Sequence, residues 1–271
     1  MKKALTIAGS DTSGGAGIQA DIKTFQELGV YGMTALTVIV SMDPHNNWAH
    51  QVFPVELGTL KAQLETVIAG IGIDAMKTGM LPTAEIIETV AATVTKHNLK
   101  NVVVDPVMVC KGTGEPVNPG NTVSFIKHLV PAACVVTPNI FEASQLSGMT
   151  SINTLDDMKE AAKIISETGV EYVVIKGGKA IETKNAVDIM FDGRDFDLLE
   201  SEKIQTDNIH GAGCTFSAAI TAELAKGANV RDAIFTAKEF ITEAIKNSFR
   251  LNQFVGPTNH GAYRRRMMFE K

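Results

Sequence analysis

Short runs of β-branched residues recur along this chain without alternating between apolar and polar positions, and stretches with apolar residues three and four positions apart separate them. The runs at 4–8, 33–40, 75–78, 102–105, 134–137 and 172–176 read as strands buried on both faces, the pattern of a parallel sheet covered by helices. Helical spacing joins Leu57, Leu60, Leu64, Val67, Ile68 and Ile71, then Ile86, Ile87, Val90 and Val94, then Leu155, Met158, Ala162 and Ile165. Each set lays one apolar stripe on the sheet. Thr83 and Thr154 are placed to cap helix N-termini, with acidic residues in the first turn where the helix dipole favours them, and Gly169 closes the helix that Thr154 opens.

Two segments break the alternation of strand and helix. Residues 186–200 carry an Asp192-Gly193 turn between apolar runs and read as a β-hairpin. The turn His210-Gly-Ala-Gly-Cys214 then leads into two helices at about 212–226 and 230–247. The whole predicts an α/β fold, a three-layer α/β/α sandwich with a mostly parallel central sheet and a β-hairpin at its edge. Without a linker, repeat or shift in composition, residues 1–271 are expected to form a single domain. The irregular stretch at 111–120 reads either as a lid over a site or as a surface loop.

A hydrophobic content of 45% over 271 residues suffices for one large core. The net charge of −5, from 30 acidic and 25 basic residues mixed along the chain, argues against nucleic acid or membrane as a partner and for small ligands. The basic run Arg264-Arg265-Arg266 reads as a solvated tail. Cys110, Cys134 and Cys214 are odd in number and widely spaced, which suggests neither a disulfide framework nor a zinc site. The N-terminus reads as a first strand rather than a signal peptide, so a cytoplasmic location is expected.

The sharpest candidate chemistry lies at 210–217. Glycines there free backbone N–H groups at the start of an apolar helix, which can hold an anion while the Cys214 thiol, expected to be partly ionised, acts beside it. A tight turn with a buried cysteine is the plainer alternative. Thr137-Pro-Asn139-Ile-Phe-Glu142 is a capping box and also an oxygen set suited to magnesium. Lys176, at a strand end before Gly177-Gly178, is either a solvated tip or a phosphate contact, and Asp105 before Pro106 either satisfies backbone groups or acts in catalysis. The loop from Gly9 to Gly17 matches neither a Walker loop nor a dinucleotide fingerprint. Of the histidines, His97 and His128 read as surface residues and His45, His50 and His260 as loop residues, with His50 nearest the expected pocket.

Taken in order, Ala8-Gly-Ser-Asp-x-Ser-Gly-Gly-Ala-Gly-Ile-Gln-Ala-Asp21, Lys77-Thr-Gly-Met80, Asp105-Pro-Val-Met108, Thr137-Pro-Asn-x-x-Glu142, Lys176-Gly-Gly and His210-Gly-Ala-Gly-Cys-Thr-Phe-Ser217 resemble the ribokinase-like superfamily. The resemblance runs over nearly the whole chain. It is strongest to the branch of pyridoxine/pyridoxal kinases and hydroxymethylpyrimidine kinases. It implies an ATP-dependent vitamin kinase with Mg2+, a monovalent cation such as K+ as a further candidate, and a homodimer by analogy. It further implies that Gly211 and Gly213 frame the anion hole, that Asn139, Lys176 and Asp188 hold ATP, and that Glu142 and Asp105 serve the metal. Asp21, Met80, Val107 and Cys110 would face the acceptor, Cys214 would be the base, and Cys110 and His210 would take part in catalysis. Cys110 either adds reversibly to the pyridoxal aldehyde or is an ordinary loop cysteine. Met42 stands where pyrimidine kinases usually carry a glutamine, which favours pyridoxine, pyridoxal and pyridoxamine over hydroxymethylpyrimidine as substrates.

Overall fold

The computed structural model describes residues 1–108 and 119–269. The strands are β1 (Lys3–Asp11), β2 (Tyr31–Asp43), β3 (Ala49–Pro54), β4 (Ala75–Thr78), β5 (Val102–Val104), β6 (Val135–Val136), β7 (Tyr172–Lys176), β8 (Ala186–Phe191) and β9 (Phe196–Ser201). They form one sheet in the order β3-β2-β1-β4-β5-β6-β7-β8-β9. The run from β2 to β7 is parallel, and β3, β8 and β9 pair antiparallel at the two edges. The chain leaves β1 toward β2 on one side and returns to β4 on the other. Such a reversal of strand order opens a crevice at the carboxyl ends of the strands.

The helices are α1 (Gly17–Glu27), α2 (Leu57–Leu64), α3 (Ala84–Lys96), α4 (Pro119–Ser124), α5 (Ile140–Ser147), α6 (Leu155–Ser166), α7 (Ala212–Lys226), α8 (Val230–Lys246) and α9 (Ala262–Phe269). Alternation along the strands divides them into two layers. Leu5, Ile7, Met76, Val102, Val104, Val136 and Ile175 point to the side of α2, α3, α5 and α6, whereas Ala4, Ala75, Val103, Val135 and Val174 point to α1, α7 and α8. Small side chains from Ala4 and Ala75 meet the alanine face of α7, so that helix lies close over the middle of the sheet. Thr215 to Ala222 are buried without a break, because α7 is enclosed by the sheet, α1 and α8. The caps are as expected: Thr83 accepts from Ile86 N–H, and Thr154 and Asp157 form a capping box.

Three expectations need correction. The stripe from Leu57 to Ile71 is not one α-helix: it widens to a π-helical turn at Glu65–Ile71, which ends at Gly72 with φ of 79°. A second edge hairpin, β2 with β3, takes in His50, which pairs with Met42 in the ladder rather than lying in a loop. The basic run 264–266 is part of α9, where Arg266 pairs with Glu243 at 3.3 Å, and not a solvated tail. Among the described residues no helix is long and apolar enough to cross a membrane.

Candidate active site

A cavity of about 520 Å³ runs along the carboxyl ends of the parallel strands. Ser10 and Asp11 reach it from β1, Gly79 and Met80 from beyond β4, Asp105 and Val107 from beyond β5, Asn139 and Glu142 from the start of α5, and Lys176 from β7. The turn His210 to Cys214 forms its floor. Val40, His50, Met80 and Val107 lie at one end, while Lys238, Ile241, Thr242 and Ile245 of α8 lie at the other. Met42 is not in the wall; Val40 and His50 of the same hairpin are.

The turn at the head of α7 owes its shape to one tight contact between two glycines. Gly211 has φ of 77°, and a Cβ there would strike the Gly15 carbonyl oxygen, so any larger residue would have to push the two loops apart. Backbone bonds from His210 N to Gly256 O (3.0 Å) and from Thr258 N to His210 O (3.2 Å) fix the strand leading into it. Ala212 N–H donates to Ile209 O at 3.1 Å, and among the described residues no side chain caps the helix. Gly213 and Cys214 therefore present first-turn N–H groups that an α-helix cannot satisfy internally, with the positive end of the dipole behind them. The Lys176 ammonium stands 3.3 Å from where a Gly213 Cβ would be, so a cation and a helix terminus converge on the same point. This is the chemistry of a phosphate site.

Two buried ion pairs brace that terminus. Lys176 Nζ lies 3.0 Å from Asp105 Oδ1, and Ser217 on α7 donates to Asp105 Oδ2 at 3.2 Å. Lys77 Nζ lies 2.9 Å from Asp21 Oδ1, both side chains being fully buried, and Thr6 donates to Asp21 Oδ2 at 2.6 Å. Burial is the largest single influence and would lower the Lys77 pKa, yet Asp21, Cys214 and Asp105 together raise it and keep the ammonium charged. The sulfur of Cys214 lies in this field, with the Gly17 N–H at the start of α1 among the groups that favour its ionised form. Even so, burial pushes the thiol up to about 11, with Lys77 only partly offsetting it. The expectation of a partly ionised thiol is thus corrected: the helix dipole and the lysine do not overcome desolvation.

Glu142 is buried and pushed up to about 7, chiefly by burial and despite Lys176. Its Oε2 accepts from Asn139 N–H at 2.8 Å while Asn139 Oδ1 accepts from Glu142 N–H at 2.9 Å, so the capping box is real and faces the cavity. Among the described residues no group of three or more metal-ligating side chains comes together. A magnesium ion fits such a site only as one carried mainly by phosphate oxygens and water, with Glu142 as the available carboxylate.

Most of the sequence candidates meet in this cavity: Cys214, His210, Gly211, Gly213, Asn139, Glu142, Lys176, Asp188, Asp105, Met80 and Val107 all line it. One stands differently from expectation. Asp21 is sealed behind the wall with Lys77 and cannot touch an acceptor, because a fully buried carboxylate here is consumed by its ion pair. Asp188 accepts from Gly177 N–H (3.0 Å), Gly178 N–H (3.4 Å) and Lys238 Nζ (2.8 Å), so it shapes the turn after Lys176. Asp105 lines the cavity while paired with Lys176. Cys110 lies outside the described residues. Sequence reasoning quoted Asp11, Lys77 and Ser217 within motifs without giving them a role and passed over Lys238; for the three charged residues, a charge inside a strand end or an otherwise apolar helix was the available signal.

A family model described as phosphomethylpyrimidine kinase matches residues 11–259. The chain is 64% identical over 264 residues to the pyridoxine kinase of Bacillus subtilis (strain 168), covering 97% of each. A solved Bacillus subtilis pyridoxal kinase in complex with ADP superposes with a TM-score of 0.95 at 64% identity, over 97% of this chain and 99% of that one. Staphylococcus aureus pyridoxal kinase in complex with AMP-PCP and pyridoxal gives a TM-score of 0.92 at 52% identity, over 97% and 94%. With the sheet order, the open helix terminus and these similarities in hand, the chain belongs to the phosphomethylpyrimidine kinase family, on the ribokinase-like fold.

Proposed function

We propose that this protein uses ATP to phosphorylate the 5'-hydroxymethyl group of pyridoxine, pyridoxal and pyridoxamine. The uncapped N-terminus of α7, with the Lys176 ammonium beside it, carries the kinase reading: it is a cradle for a transferring phosphoryl group inside a cavity long enough for a nucleotide and an acceptor. The choice of acceptor rests on the pyridoxine kinase to which the chain is 64% identical and on the pyridoxal kinase whose structure with pyridoxal and AMP-PCP it matches.

The acceptor ring lies at the end lined by Val40, His50, Met80 and Val107, with its hydroxymethyl group over Cys214. The N–H groups of Gly213 and Cys214 and the dipole of α7 receive the charge on the phosphoryl oxygens, and Lys176 neutralises the nucleotide side. Cys214 acts as the thiolate: its own proton leaves to solvent first, and the sulfur then takes the hydroxyl proton as the new bond forms. A thiolate whose conjugate acid is raised to about 11 is a strong acceptor, and Lys77 behind it limits the cost of forming it. Glu142 would hold a magnesium ion directly or through water, and that ion would supply neutralisation of phosphate charge. The polar contacts of Asn139 keep that carboxylate turned to the cavity.

The test is ATP consumption with purified protein and pyridoxine, pyridoxal, pyridoxamine or hydroxymethylpyrimidine as acceptor. Turnover with the three pyridines well above the pyrimidine is expected. The reverse order would move the protein to hydroxymethylpyrimidine and its phosphate, the reading that the family description favours, and no turnover with any of them would remove the kinase reading.

A further inference from the structure

Asp11 and His210 meet at the acceptor end of the cavity, an arrangement that the transfer chemistry alone does not require. His210 Nε2 lies 2.7 Å from Asp11 Oδ2, and both residues line the wall. The same carboxylate gathers the glycine turn that follows β1, accepting from Ser13 N–H (2.8 Å), Ser13 Oγ (3.0 Å) and Ala16 N–H (2.8 Å). Burial alone would raise its pKa, but the bonds from His210 and Ser13 prevail and hold it down at about 2, so the group is ionised. Gly15 packs against the edge of the imidazole and leaves no room for a side chain between them, while the His210 backbone is pinned to Gly256 and Thr258 on both sides. The ring is therefore held in place by the fold, not merely by one bond.

A carboxylate can only accept, so Nε2 carries the hydrogen in this contact. In a neutral imidazole Nδ1 then keeps its lone pair and becomes an acceptor. The cavity that both residues line also takes in Gly9, Val40, Gly79, Met80 and Val107, with His50 and Ser10 among its polar side chains.

We propose that Asp11 is a positioning residue that fixes His210 as a hydrogen-bond acceptor, and that this acceptor reads a donor on the substrate ring, the hydroxyl of a 3-hydroxypyridine. The inference rests on the vitamin reading above, since pyridoxine, pyridoxal and pyridoxamine share that hydroxyl. It adds a specificity determinant next to the phosphoryl-transfer groups.

The experiment compares kcat/KM for pyridoxine and 3-deoxypyridoxine in the wild type, Asp11→Asn and His210→Leu, together with nitrogen NMR of 15N-histidine-labelled protein loaded with ADP. In the wild type, pyridoxine should be preferred on the order of 30-fold, and the His210 signals should report the Nε2–H form. Asp11→Asn offers an amide that can donate to the ring, so the preference should shrink to about threefold, mostly through a higher KM for pyridoxine, and the spectrum should gain the Nδ1–H form. His210→Leu should lose the preference as well, which keeps the test decisive if the Asp11 variant fails to fold. Equal use of both compounds by the wild type, an equal loss on both in Asp11→Asn, or an Nδ1–H signal in the wild type would each overturn the inference. A wild type inactive on pyridoxine would remove the vitamin reading and this inference with it, whereas equal use of the two pyridines would remove the inference alone.

Discussion

Two glycine turns open helices at the floor of the cavity, and they differ in who satisfies their amides. In the turn before α1, the Asp11 carboxylate takes the N–H groups of Ser13 and Ala16, so the protein supplies its own anion. In the turn before α7, no side chain among the described residues plays that part, and the N–H groups of Gly213 and Cys214 are left to the cavity. The two turns press on one another, Gly15 against Gly211. Glycine content makes them look alike in sequence; one acidic residue at the end of β1 separates a closed turn from an open one. An open helix terminus beside a lysine is a site because none of the described residues fills it.

The sharpest way to break that contrast is to close the open turn. Gly211→Ala puts a Cβ into the Gly15 carbonyl at a positive φ, and the expected loss is on the order of 10³-fold in kcat, read against thermal unfolding to separate catalysis from stability. Gly213→Ala, at a helical position, leaves the backbone conformation alone but crowds Lys176; a loss of about 10²-fold in kcat with a nearly unchanged melting temperature is expected. Lys176→Met removes the cation and leaves Asp105 buried without its partner, so KM for ATP should rise by about tenfold or more, with a measurable drop in stability. Glu142 gives a pH signature. Its carboxyl ionises only near 7 in the folded chain, above the ordinary 4.5, so its contribution to stability is complete below the ordinary value and lost as the pH rises through about 7. Thermal stability of the nucleotide-free protein should therefore fall across that window, and Glu142→Gln should flatten the fall. The smallest effect belongs to a helix start far from either turn: Thr154→Ala should cost about 1 kcal/mol of stability and leave turnover alone.

Much of this was legible in the sequence because it depends on local chemistry. The six runs read as strands are all in the sheet, since doubly buried strands advertise themselves by unbroken β-branched residues. The caps at Thr83, Asn139 and Thr154 were readable for the same reason: a cap is a contact over three residues. β3 was missed because Ala49 to Pro54 is half to fully exposed and carries no apolar face; it exists through its pairing with β2. The fates of Asp21, Asp105 and Asp188 were hidden because each is decided by a lysine 50 to 71 positions away, and no local pattern announces which lysine arrives. The ionisation of Cys214 was misjudged for a related reason. A helix N-terminus is visible in sequence, but the burial that outweighs it is a property of the packed fold.

Cys214→Ala tests the central claim most directly, with kcat for pyridoxine phosphorylation and ATP affinity measured on the same preparation. If the open turn holds the phosphoryl group and the thiol takes the proton, kcat should fall by about 10²-fold or more while ATP affinity stays within about twofold. Turnover close to that of the wild type, or equal losses in turnover and nucleotide binding, would contradict it.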